Sequence, residues 1–149
     1  PIELPLGFQI ARVPVINRIS EWFLPRALVV QSVASVYGDP ARVTDALVDR
    51  YYELTLREGN RRALALRMQH LVLGDNAERI ATLKLPTLIL WGGRDRLIPP
   101  AVGQQFAQQI TGSQLVVFDE LGHVPQEEDA ARSVLPVLAF LGLTKANAP

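Results

Sequence analysis

The chain has 149 residues, 48% of them hydrophobic and 20% charged, a balance that suits one soluble globular domain with a real core. Fifteen basic and fifteen acidic residues cancel and no basic block stands out, which argues against nucleic acid or an anionic membrane surface as the main partner. The absence of cysteine excludes disulfides and thiolate metal sites, His70 and His123 alone leave little for zinc, and no apolar run approaches the ~18–20 residues of a membrane span. No charged-then-apolar leader opens the chain, so the cytoplasm is the expected compartment. The chain starts at Pro1 rather than at an initiator methionine, which raises the expectation of a longer parent.

Pro1, Pro5, Pro14 and Pro25 punctuate the first stretch. They predict short turns or an extended wrap, with Trp22 and Phe23 anchoring it on an apolar surface. Arg26 to Val36 reads as a helix that Gly38-Asp39-Pro40 ends. From Thr44, a fair N-cap, Leu47, Tyr51 and Leu54 follow a helical period, with Val48 and Tyr52 flanking. Gly59-Asn60 closes that helix and opens the next, where Ala63, Leu64, Arg67, Met68 and Leu71 form the predicted stripe. Gly74-Asp75-Asn76 is another stop. Residues 1–75 thus read as helical, with no convincing strand.

Beyond Asn76 the pattern changes. A short helix leads into an apolar strand at 87–91, followed by the loop Trp91-Gly92-Gly93-Arg94-Asp95-Arg96-Leu97-Ile98-Pro99. Pro99 and Pro100 open a helix whose stripe is Val102, Phe106 and Ile110. Thr111-Gly112 ends it, and a second strand at 115–118 runs into Leu121-Gly122-His123-Val124-Pro125-Gln126-Glu127-Glu128. A last helix, N-capped by Asp129, reaches about Leu141, and Pro136 inside it predicts a kink or break. Thr144 to Pro149 reads as a disordered tail. Strand, helix, strand and helix over 87–141 make a right-handed crossover unit with two parallel strands, apolar along their length as in a sheet covered on both faces. Two strands are too few for a stable sheet, so members are expected to be missing.

Each strand delivers a reactive residue at its C-terminal end, where open α/β sheets place their chemistry. Asp95 after one strand and His123 after the next have the order of an orienting acid and a general base. An imidazole suits proton transfer because its unperturbed pKa of ~6.5 lies near neutrality, and a buried carboxylate on its second nitrogen fixes the tautomer. The plainer alternatives are a loop histidine and a turn aspartate.

The two loops resemble the W-G-x-x-D-x-x-I-P and G-H-x-P-x-x-E segments of α/β-hydrolase fold proteins. The separation, one helix and one strand between acid and histidine, is similar as well. The resemblance covers nearly the whole chain but only the C-terminal half of a family member. It implies an α/β class, with 1–75 as most of a helical cap, 76–143 as the last two core strands and their helices, and 144–149 as the tail. It further implies Asp95 as acid and His123 as base of a triad in a cofactor-independent and metal-independent hydrolase acting on an ester, a C–C bond or a related linkage.

The departure is large. No G-x-S-x-G elbow occurs, and Ser20, Ser32, Ser35, Ser113 and Ser133 lack its flanks. The elbow also supplies part of the oxyanion hole. The chain alone is therefore expected to be inactive, with a serine (or, in the alternative, an aspartate) carried on a missing N-terminal half. The expected partners are that half, a small substrate with an apolar part, and a second copy of the chain through an exposed sheet edge. A non-catalytic ligand-binding or split-subunit module is the other functional class. Elsewhere the bland expectations lead: His70, Arg61, Arg62 and Arg67 on solvated helix faces, Trp91 in the core, Tyr51 and Tyr52 half-buried. Glu128 is expected to support the His123 loop or the next helix terminus, and Glu127 to face solvent. Leu66, Met68 and Leu71 suit either a pocket wall or simple packing.

Overall fold

The structure is a computed structural model that describes residues 23–70, 74 and 76–143. Trp22, Ser20, Leu71 and the tail from Thr144 lie outside those residues, as does the expected wrap up to Trp22. Phe23, the other expected anchor, is 68% exposed.

Helix α1 spans Arg26–Val36, and a single 3-10 turn at Pro40–Arg42 follows it. Helix α2 spans Asp45–Leu56 and starts as predicted, the Thr44 hydroxyl accepting the Leu47 N–H. Gly59 sits in the left-handed region (φ 82°) between α2 and helix α3, Asn60–Gln69. On α3 the buried residues are Ala65 and Met68, while Ala63 and Arg67 are exposed, so the stripe is rotated from the predicted one. Valines 29 and 33 of α1, Tyr37 and Val48 of α2 form one buried cluster, with Leu47, Tyr51, Tyr52 and Val124 packed around it. Burying such side chains stabilises by roughly 1.5–3 kcal/mol each. Val124 follows His123, so this cluster already reaches the histidine loop.

A short α4, Ala77–Ile80, leads to β1, Leu88–Gly92. Helix α5, Pro100–Gln109, opens on its prolines as expected, and β2 is Gln114–Phe118. The strands are parallel, in register from Leu88 opposite Gln114 to Gly92 opposite Phe118. They form a two-stranded sheet, and no third strand occurs among the described residues. Helix α6, Pro125–Glu128, is a short element that local patterning hides, because it is only four residues long. Helix α7, Ala130–Phe140, begins where Asp129 accepts the Arg132 N–H.

Of the expected kink or break at Pro136, the break does not occur: α7 continues through it. A proline removes one ladder hydrogen bond. Both flanks of this one are held: Ser133 is buried and donates its hydroxyl to the Pro125 carbonyl, while Leu141 and Leu143 donate to the Val137 and Leu138 carbonyls. No described helix is long and apolar enough to cross a membrane.

Candidate active site

The register of the two strands places the site. Gly92 and Phe118 are partners at the sheet's C-terminal edge, so the loops that follow them leave side by side. The Gly93 N–H donates to the Phe118 carbonyl and the Arg94 N–H to the Leu121 carbonyl, each at 2.8 Å. A side chain at Gly92 would collide with the backbone carbonyls of Leu121 and Gly122, so the loops can approach this closely only with glycine there.

Asp95 and His123 meet across this junction. The imidazole Nδ1 lies 2.9 Å from Asp95 Oδ2. Asp95 is only 8% exposed, and its Oδ1 accepts the backbone N–H groups of Leu97 (2.9 Å) and Ile98 (2.8 Å). A carboxylate whose two oxygens are spoken for in this way holds one orientation. Because an ionised carboxylate only accepts, the hydrogen-bond pattern assigns the proton of a neutral imidazole to Nδ1 and leaves the lone pair on Nε2. The His123 side chain is 31% exposed, and no described residue bonds Nε2. The pair can therefore abstract a proton at Nε2 and hold the charge that results.

The loop is also held from behind. The His123 N–H donates to the Val36 carbonyl at 2.7 Å. Glu128 supports the loop as expected, its carboxylate accepting from the Gly122 N–H. Glu127 is exposed, as expected, but it also makes contacts that the expectation does not include. Its Oε2 accepts the Tyr51 hydroxyl at 2.7 Å and, more weakly, the Tyr37 hydroxyl at 3.5 Å, which links the turn after α1 to α2 and α6. The Tyr37 phenol is pushed up to about 12, first by burial and then by the charges of Glu127 and Glu128. Tyr51 is raised by burial and by its bond to Glu127. Sequence separations of 76 and 90 residues hide these contacts from any local pattern; the adjacent Glu127-Glu128 was their one trace.

The remaining candidates stand apart. Trp91 is half-buried, gives its indole N–H to the Ile98 carbonyl at 3.1 Å and packs edge-on against Phe106, a structural role at the end of the Asp95 loop. Arg62, Arg67 and His70 are exposed and Arg61 is half-buried. Leu66 is 46% exposed and Met68 is buried, so they do not share one wall. Ser35, Ser113 and Ser133 each give the hydroxyl to a backbone carbonyl and none is free to attack. No group of three potential metal ligands occurs among the described residues.

The profile of the alpha/beta hydrolase fold matches residues 15–130. The chain belongs to the alpha/beta hydrolase fold family. Within the family it is 40% identical over 67 residues to a 2-hydroxy-6-oxononadienedioate/2-hydroxy-6-oxononatrienedioate hydrolase of Escherichia coli, a match covering 45% of this chain and 23% of that protein. It is 32% identical over 73 residues to Lipase 3 of a Moraxella species, covering 46% of this chain and 23% of that one. Among solved structures, an alpha/beta hydrolase fold protein from Burkholderia ambifaria superimposes with a TM-score of 0.73 at 25% identity, covering 93% of this chain and 52% of its own. The chain thus spans about half of its structural relative, as a partial alpha/beta-hydrolase fold with the sheet's two described strands. Its relatives are hydrolases.

Proposed function

We propose that this chain supplies the general base, His123, and the orienting acid, Asp95, of a triad in a cofactor-independent alpha/beta hydrolase whose nucleophile lies on polypeptide outside these 149 residues. The Nδ1–Oδ2 contact of 2.9 Å, with Asp95 pinned by two N–H groups and Nε2 left unbonded, carries this reading. His123 Nε2 would take the proton of an elbow serine as its oxygen attacks a carbonyl, then return it to the leaving group. In the second half-reaction the same nitrogen would take a proton from water, which cleaves the acyl intermediate. The named relatives, a lipase and a 2-hydroxy-6-oxononadienedioate/2-hydroxy-6-oxononatrienedioate hydrolase, support a hydrolase; the linkage proposed is an ester or a C–C bond in a small substrate with an apolar part. Residues 1–75 would form most of the cap. Support comes from the purely helical 26–69 region and from Tyr51 of α2 reaching Glu127 beside the histidine loop.

The test compares an activated ester with the 149-residue chain and with a complete protein carrying an elbow. The chain alone is expected to give no rate above a histidine-containing control. In the complete protein, His123→Ala is expected to lower turnover on the order of 10⁴-fold or more. Near-normal turnover in that variant would remove the base assignment. A fast, His123-dependent rate from the chain alone would overturn the outside nucleophile. The absence of an elbow from the sequence favours one second reading, a split-subunit or ligand-binding module. A complete reading frame with no elbow would select it.

A further inference from the structure

The turn leaving α1 crosses the histidine loop at backbone contact. Both Gly38 and Gly122 are buried, and a Cβ on Gly122 would lie 2.7 Å from the Tyr37 carbonyl carbon. One on Gly38 would lie 2.7 Å from the Leu121 carbonyl carbon and from the Gly122 nitrogen. No side chain fits between the two segments. Their buried N–H groups need acceptors that reach in from the side. One carboxylate does this for both: Glu128 Oε1 accepts the Gly122 N–H at 2.6 Å, and Oε2 accepts the Gly38 N–H at 2.9 Å. The Arg42 guanidinium donates to the Glu128 backbone carbonyl at 3.0 Å and holds this residue in place in turn.

We propose that Glu128 is a positioning residue that sets the aim of His123 by bridging the N–H groups of Gly122 and Gly38. The inference rests on His123 as the general base. Gly122 immediately precedes His123, whose own N–H is bonded to Val36, so the backbone is fixed on both sides of the Gly122–His123 peptide. The imidazole can then meet Asp95 Oδ2 in only a narrow range of positions. The bridge specifically needs a carboxylate. Glutamine has one acceptor oxygen and would turn an NH2 group toward the second N–H, and aspartate is one methylene too short to span both. The tyrosine hydroxyls do not compete, because they go to Glu127.

The experiment is proton NMR of the complete protein carrying an elbow, reading solvent exchange of the His123 Nδ1 proton, with His70, exposed and without such a partner among the described residues, as the internal reference. In the parent chain the His123 proton is expected to exchange slowly, and Asp95→Asn is expected to abolish its resonance. Glu128→Gln, nearly isosteric, is expected to speed exchange of that proton and of the His123 amide by about tenfold or more, the value of one lost hydrogen bond to a charged group. The Arg94 amide, bonded to Leu121 across the sheet's edge, should keep its protection. Exchange of the Nδ1 proton within twofold of the parent in Glu128→Gln would overturn the inference. Equal acceleration at Arg94 would overturn it too, by showing a general loss of structure. If the parent shows no slow proton, or Asp95→Asn leaves it intact, the acid–base pairing itself fails, a result distinct from failure of the Glu128 bridge. Glu128→Ala is a second variant, and the glutamine variant decides the matter if alanine does not fold.

Discussion

Replacing Asp95 separates two roles that one side chain performs. Asp95→Ala removes the acceptor of the Leu97 and Ile98 N–H groups. Leaving each unpaired costs ~1–3 kcal/mol, so the loss is about 2–6 kcal/mol. Asp95→Asn keeps an oxygen for both and exchanges only the bond to His123, from a charge-assisted one to a neutral one, which costs about 1 kcal/mol. Against a total stability of ~5–15 kcal/mol, alanine should threaten the fold and asparagine should not. The asparagine amide would nevertheless face Nδ1 with hydrogens, forcing the imidazole proton onto Nε2 and removing the lone pair a base needs. Urea unfolding of both variants at constant m value measures the difference. Equal destabilisation by the two substitutions, or an alanine variant within 0.5 kcal/mol of the parent (the size of an ordinary surface effect, roughly), would refute the assignment of Asp95's hydrogen bonds.

Tyr37 makes stability depend on pH at the alkaline end. Its folded value of about 12 lies above the ~10 of a free phenol, so its contribution is intact below pH ~10 and is lost as pH rises toward 12. Tyr37→Phe is expected to flatten the decline measured by denaturant titration between those limits, and an unchanged slope would sink the argument. The strand edges, unpaired among the described residues, and the exposed Val134 and Leu135 of α7 (43% and 58%) predict self-association of the isolated chain at micromolar concentration. A clean monomer by light scattering would contradict it.

The elements legible from sequence were those with local chemistry. Thr44 and Asp129 cap the helices they were expected to cap, and Pro100 sits in the first turn of α5, because a cap or a fixed φ is decided within a few residues. The meeting of Asp95 with His123 was likewise legible, since both follow adjacent strands. The hydrogen bonds of Glu127 were not: it is as exposed as expected, and nothing local shows that Tyr51, 76 residues away, is brought to it. Nor was the continuity of α7 through Pro136, because the proline's cost is read from one position while the Ser133 bond to the Pro125 carbonyl that helps hold the helix reaches back to α6.

The crossing of the Gly38 turn with the histidine loop has a consequence for the order in which the molecule assembles. Asp95 and His123 are 28 residues apart, whereas Gly38 and Glu128 are 90 apart. Closing the larger loop costs about 1 kcal/mol more chain entropy. Contacts of that span form late. The acid and base should therefore find each other within the strand–helix–strand unit first, and the backing that aims the histidine should arrive afterwards. Pulse-labelled refolding would then protect the Arg94 amide before that of His123, and the reverse order would exclude this sequence of events. A newly made chain would pass through a state in which the pair exists but is not yet aimed, so the final long-range closure, rather than formation of the pair, would mark the moment the site is complete.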